Sequence, residues 1–473
     1  MFNLCGRFSL WLLLAFTPLY AQQSFKDFKK AQAESFKSYK DERDNAFEKY
    51  LKQEWKAFNE QKPTPLYEEP KPLNITPIAP QVQNPVGPKI YLQVKEDANE
   101  SVIVEIKPQI IKQKALSFDF FGTKMSFELS ESLKKSNFYP QNQSGITNFF
   151  SAAASSDYET LVADIQAAAK EMGLNDWGVY LLVTKISQTA ASNSDNTNLL
   201  SWFLLNKLGY AVKIGLANGH TVLMHYAQKS IYATPRYSFG NKNYYVVANY
   251  AKGGVGRIFS YDQEYPNATK ELDLSLEMLP RFAQNIQKKS LKFSLQGENY
   301  NVLFSYNKNL IDFMATYPQA DYETFFNAPL ERATLSDLSI AFKEYISGKK
   351  ASNAINFVLH FVQSAFVYQQ DNEQFSREKV MFAQETLYYD KSDCEDRAIL
   401  FSSLVKEFFG INVVGVKYKD HMATALYIPL EGDSVSIKSK RFVVADPTYV
   451  NATLGMSMPK YKDKKPVEYI IVK

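Results

Sequence analysis

Apolar residues recur at helical spacing in Leu400, Leu404, Val405 and Phe408, and the pattern stops at Gly410. Glycine ends helices because it adopts the left-handed conformation without strain. Ser392 or Asp393 can cap the start of this helix, which puts Cys394 in its first turn. There the amide N–H groups and the macrodipole favour a thiolate over a thiol. Downstream the period changes. Residues 411–416, 421–428 and 441–448 read as three short strands. Antiparallel neighbours can place His421 beside Asp446, with the helix start facing both. A histidine within reach of a thiol can take its proton, and a carboxylate behind it fixes the tautomer and stabilises the imidazolium.

The same pattern is written a second time upstream. Leu116 to Gly122 repeats as Leu291 to Gly297, and Tyr139-Pro140-Gln141 before Phe149-Phe150 repeats as Tyr317-Pro318-Gln319 before Phe325-Phe326. Helical runs follow at 161–172 and 335–346, then at 177–186 and 355–366. Gly209 to His220 has the same eleven-residue spacing as Gly410 to His421, and 244–249 matches 441–446. Order and spacing together point to a duplication. The alternative is two α+β domains of similar aromatic composition. At the cysteine position the first copy offers Asn193 or Asn196, and at the aspartate position Asn249; only His220 is kept. Such a lobe can bind a peptide-like ligand but lacks a strong nucleophile.

The segments before these lobes have other patterns. Arg7, an apolar run at 10–16, Pro18 and Ala21 make 1–21 a signal peptide, with an uncleaved anchor as the alternative. That run is short for a membrane span, so an exported, periplasmic protein without a stable span is expected. Residues 22–62 read as a charged amphipathic helix. Phe25, Phe36, Phe47 and Phe58 are eleven apart, and Phe28, Tyr39 and Tyr50 keep the same interval. That period lies close to a whole number of helical turns, so the aromatics form one stripe. The stripe over 24–61 fits either a protein partner or the chain's own domains. Residues 63–88 hold eight prolines and read as an extended spacer. The rest divides into a degenerate lobe at 89–265 with added strands near 90–94 and 102–106, a connector at 266–289, and a second lobe at 290–473.

Composition narrows the chemistry. A net charge of +4 over 473 residues gives no basis for nucleic-acid binding. Thirty Tyr and thirty-four Phe supply aromatic cores, or else a stacking surface. Of two cysteines, Cys5 leaves with the leader, so Cys394 is a lone thiol in an oxidising compartment. It is either buried and inert or useful. His360 lies in an apolar helix and reads as a core residue; His220 and His225 lack the companions of a metal site. Asp393, Glu395 and Asp396 suit capping, and the glycines at 253–256 lack the Lys-Ser/Thr of a phosphate loop. No cofactor or metal is expected.

The segments Ser392-Asp393-Cys394-Glu395-Asp396, Asp420-His421-Met422-Ala423 and Val444-Ala445-Asp446-Pro447-Thr448, with the helix at 356–363, resemble the transglutaminase-like superfamily. The resemblance covers roughly the last 120 residues. It implies a papain-like α+β fold, Cys394 as nucleophile, His421 as base and Asp446 as its orienting partner. It also implies acyl transfer through a thioester on a peptide or protein amide. Resolution by water makes a peptidase or amidase; resolution by a lysine amine makes a transglutaminase. The Cys394 N–H would serve the oxyanion, with Tyr389 or Gln370 as candidate side-chain donors. The contrasting expectation is a non-catalytic envelope binding or scaffold protein.

Overall fold

The computed structural model describes residues 41–93 and 116–473. The fold is mixed α+β, with two antiparallel sheets each backed by helices. In the first lobe the strands lie in the order Lys56–Phe58, Ile258–Ser260, Val212–Ala217, His220–Tyr226, Lys242–Tyr245, Arg236–Phe239. In the second the order is Glu468–Ile471, Val413–Lys417, Met422–Leu426, Lys440–Ala445, Ser434–Ile437. From Ile258–Ser260 onward the two orders coincide. The register coincides too. Val212 faces His225 and Leu216 faces Thr221, while Val413 faces Leu426 and Lys417 faces Met422; each residue lies 201 positions before its counterpart.

A hairpin precedes each lobe, Leu116–Phe120 with Thr123–Phe127 and Ile286–Leu295 with Glu298–Asn307. Both turn residues have positive φ in each, Phe121-Gly122 and Gln296-Gly297. That geometry follows the strand twist and calls for glycine. Helices Glu159–Met172, Asp176–Ala190 and Ser194–Lys207 have counterparts in Arg332–Ile346, Ala351–Ser364 and Cys394–Phe409. Between the last two, the second lobe carries residues 365–393 where the first has 191–193. This insertion holds helices Asp371–Phe375 and Ala383–Tyr388, and the parallel strand pair Val367–Tyr368 and Lys391–Ser392.

Strand alternation assigns the two faces of the second sheet. Val413, Met422, Leu426 and Val443 join the main core under the helices. Val414, Val416, Ala423 and Ala425 form a second cluster on the other face with Tyr418 and Tyr461. The main core is continuous across both lobes and includes Phe47, Trp202, Phe313 and Cys394. No helix among the described residues is long and apolar enough to cross a membrane.

The segments before the lobes depart from expectation. The helix expected over 22–62 ends at Leu51. Phe47 is fully buried in the first lobe, edge-on to Phe150, Tyr261 and Tyr265 with centroids 5.2–5.7 Å apart. The described part of the aromatic stripe thus packs on the chain itself. Trp55 turns inward, its indole N–H donating to Leu51 O at 3.1 Å, and the helix gives way to strand Lys56–Phe58. Phe58 packs on Phe239 at 4.2 Å instead of extending the stripe. The signal peptide, residues 22–40 and the strand expected at 102–106 lie outside the described residues.

The proline-rich segment 63–88 is a strap across the second lobe, not a free spacer. Proline removes ladder donors, so the strap is held by its carbonyls and by a few other groups. Lys417 Nζ donates to Leu66 O at 3.1 Å, Tyr368 Oη to Pro72 O at 2.9 Å, and the Ala351 N–H to Pro88 O at 2.8 Å. Ile90 then exchanges backbone hydrogen bonds with Gly348 and Lys349, so the run near 90–94 joins the second lobe, not the first. The expected connector also packs: Leu272, Leu274, Leu276 and Phe282 are buried, and the hairpin strand already begins at Ile286.

Candidate functional site

Cys394 is the first residue of its helix and Asp393 is the cap. Asp396 reaches back to the Asp393 N–H at 3.3 Å and accepts the Met381 N–H at 2.8 Å. Arg397, fully buried, donates to Ser392 Oγ, Gln363 O and Phe366 O at 2.8–3.2 Å. These bonds fix the helix start against the helix Ala351–Ser364 and the insertion.

The cysteine helix packs on strand Met422–Leu426, which His421 immediately precedes. Thr424 faces Ala445 on the neighbouring strand, and Asp446 follows Ala445. His421 Nε2 lies 2.9 Å from Asp446 Oδ2, with both side chains buried. The other oxygen of Asp446 accepts the N–H groups of Thr448 and Tyr449 at 3.0 and 3.2 Å. Tyr461 stacks on the imidazole at 4.7 Å. A carboxylate at Nε2 selects the tautomer protonated there. Nδ1 is buried and has no hydrogen-bond partner among the described residues, so its acceptor lone pair is available.

Cys394 does not complete this pair. Its Sγ is fully buried and donates to Glu395 Oε2 at 3.2 Å, with Tyr67 Oη 4.0 Å away. No hydrogen bond between Cys394 and His421 is present among the described residues. Burial, then the charges of Glu395 and Asp393, push the thiol well above its ordinary value. The thiolate expected from the helix terminus is therefore not the resting form. The macrodipole supplies about half an elementary charge. Complete desolvation and the neighbouring acidic groups outweigh it.

The strap supplies residues that the sequence pattern did not mark. Tyr67 Oη donates to Glu395 Oε2 at 3.1 Å. The buried Lys71 ammonium lies 2.7 Å from Asp393 Oδ2 and 2.8 Å from Glu378 Oε2, 3.5 Å from Asp371 Oδ2, and in contact with Glu395 Oε1. Burial opposes its charge, but Asp393, Glu395, Asp371 and Glu378 hold Lys71 well above the usual lysine range. Burial also opposes the charge of Glu395, yet Lys71 keeps it below the usual carboxylate range. Asp371 and Asp393 are pushed well up, by burial and then by neighbouring carboxylates, against the pull of Lys71. Asp371, Glu378 and Glu395 have metal-like spacing, and the ammonium already contacts all three. Three carboxylates at one helix start exceed what capping uses, and that surplus was the signal for a buried cation.

Other expected residues fall as follows. Gln370 Nε2 holds the strap through Lys71 O and Pro72 O, and Tyr389 packs on Phe375 and Tyr388. His360 is buried and pushed down by burial. The amides of Val255 and Gly256 in the glycine cluster both donate to Glu60 Oε2 at 2.6 Å.

In the first lobe, Asn193 is the helix cap and Ser194, not Asn196, holds the first helical position. Asn196 is buried and bonded to Asn137 and Phe138. His220 is exposed and 3.1 Å from Asp195. His225 is buried five residues further along the strand, roughly 16 Å away at the strand rise. The two histidines therefore do not converge on a metal. His225 faces Tyr245 as Leu426 faces Val443, and extending that register puts Ala248, not Asn249, at the place of Asp446. The offset is already present within the strand, at the His225–Tyr245 pair, before the tight turn Val247–Asn249.

No family model, curated protein or solved structure matches this chain.

Proposed function

We propose that the protein is an exported cysteine-dependent acyl-transfer enzyme whose site is closed by its own strap. The observation that carries this reading is the buried His421–Asp446 pair with Nδ1 unpartnered, beside the strand on which the cysteine helix packs. Helix on antiparallel sheet supports a papain-like, transglutaminase-like lobe. The matching strand orders support a duplicated one whose first copy has no thiol. The leader at 1–21 supports export to the periplasm.

When the strap lifts, Cys394 is freed from Tyr67 and its desolvation is relieved. The sulfur then turns from Glu395 to His421, and Nδ1 takes the thiol proton. The thiolate attacks an amide carbonyl, and the Cys394 N–H stabilises the oxyanion. The C–N bond breaks as His421 returns the proton to the leaving amine, leaving a thioester. Water or a lysine amine resolves it.

The test is to trap that thioester. Chain carrying Lys71→Ala is incubated with a peptide pool and digested for mass spectrometry. A hydroxylamine-labile acyl adduct on Cys394, missing when His421→Ala is added, is the expected result. The second reading, a closed binding protein with a structural thiol, is favoured by the complete burial and raised pKa of Cys394. It predicts no adduct in either chain.

A further inference from the structure

The first lobe holds an open cleft of about 770 Å³ where its helix start meets its sheet, walled by Asn193, Ser194, Thr197, Ala217 and His220. That volume lies within the roughly 300–1,000 Å³ of ligand sites. The corresponding corner of the second lobe is not open. There Tyr67 reaches Cys394 and Glu395, and Lys417 holds Leu66 O, so an extended chain fills it. Deeper in the first-lobe cleft, Ser201 and His225 contribute to the wall, and Ser201 Oγ and His225 Nε2 are buried without a hydrogen-bond partner among the described residues. Buried polar atoms are ordinarily paired, so these two give the depth of the cleft polar groups able to bond a ligand.

We propose that this cleft is a non-catalytic receptor for an extended stretch of polypeptide. Three features specify the ligand class. Gln188, Asn193, Thr197 and Asn198 line it with neutral polar side chains that suit peptide amides, part of their capacity being used within the lobe, where Thr197 Oγ1 donates to Asn193 O and Asn198 Nδ2 to Thr221 O; Lys252 adds one charged group. Leu181, Val222, Leu223 and Val247 add an apolar wall for a side chain. Tyr180, the tyrosine in the lining, is buried, with Trp177 packed over it at 4.9 Å and His225 edge-on at 4.8 Å, and so offers little open face for a sugar to stack on. The cleft would hold a protein substrate or partner while the second lobe works on it. The binding claim itself does not depend on the second lobe being catalytic.

The experiment uses the full chain with Cys394→Ser. A pool of N-acetylated, C-amidated octapeptides is offered, and retained species are identified by mass spectrometry. β-linked N-acetylglucosamine oligomers are offered separately. Thr197→Trp and Ala248→Trp each add bulk to the cleft wall; thermal melting checks their fold, and if one fails to fold the other decides. The expected result is a retained set of peptides whose affinity falls at least tenfold in a folded Trp variant. Retention of no peptide, retention of the sugar oligomers instead, or peptide affinity unchanged in a folded Trp variant overturns the proposal. None of these outcomes depends on thioester formation, so this test and the trapping test fail separately.

Discussion

The Lys71 ammonium lies 2.7 Å from Asp393 Oδ2, and Asp393 caps the helix that begins with Cys394. One residue of a proline-rich segment thus neutralises the acidic helix start of a lobe more than 300 positions away. Both groups are buried, so each is costly without the other.

Removing the cation should open the strap. Lys71→Ala leaves the buried Glu395 carboxylate without its cation, a loss of roughly 3–5 kcal/mol for a buried pair. The expected outcome is cleavage by a non-specific protease within 63–88 at least tenfold faster than in the wild type, with the lobes intact. Unchanged cleavage contradicts the role given to Lys71.

Closure should depend on pH with a definite sign. Glu395 is held low, so its contribution is present above the unfolded carboxylate value and is lost as pH falls through its folded pKa. Lys71 is held high, so its contribution is present below the unfolded lysine value and fades as pH rises through its folded pKa. Asp371 and Asp393 are pushed up, so the closed form binds extra protons and closure weakens as pH rises from the usual carboxylate range. Hydrogen-exchange protection at 66–72, corrected for intrinsic rate, should therefore be greater at about pH 5 than at about pH 8, and should fall below about pH 4. Protection that rises steadily from pH 5 to 8 contradicts this balance.

The N-terminal helix should behave as core. Phe47→Ala removes a fully buried ring and should cost about 3–5 kcal/mol, read as a lower denaturant midpoint. A loss below about 1 kcal/mol would return this helix to the role of a free arm.

How far the sequence could be read depended on the length scale of the interaction. The cysteine helix, its stop at Gly410 and the strands bearing His421 and Asp446 follow from local periodicity. The adjacency of His421 and Asp446 follows from antiparallel pairing of neighbours. The strap was not legible, because prolines suppress any periodic pattern and the partners of Lys71 lie at 371, 378, 393 and 395. The thiol state was misjudged for the same reason. A helix-terminus argument uses local charges, whereas Cys394 is governed by its burial and by Glu395 and Asp393 in a cage completed from afar. Asn249 was aligned by residue type, whereas the strand pairing of Tyr245 with His225 sets a register one position away.

Within the proposed triad, Asp446 orients and His421 carries the proton. On any peptide that acylates Cys394, His421→Ala should abolish turnover. Asp446→Asn should leave measurable turnover, reduced by up to about 10⁴-fold. Equal losses for the two would remove the distinction between base and orienting group.

The most direct measurement of the central claim is the rate of Cys394 alkylation by iodoacetamide at pH 7, by intact mass. It is compared in the wild type, in Lys71→Ala, and in Lys71→Ala with His421→Ala. The account predicts almost no labelling in the closed wild type, fast labelling once the strap is released, and loss of most of that gain without His421. Labelling of the released chain no faster than wild type, or equally fast without His421, would contradict a Cys394–His421 nucleophile.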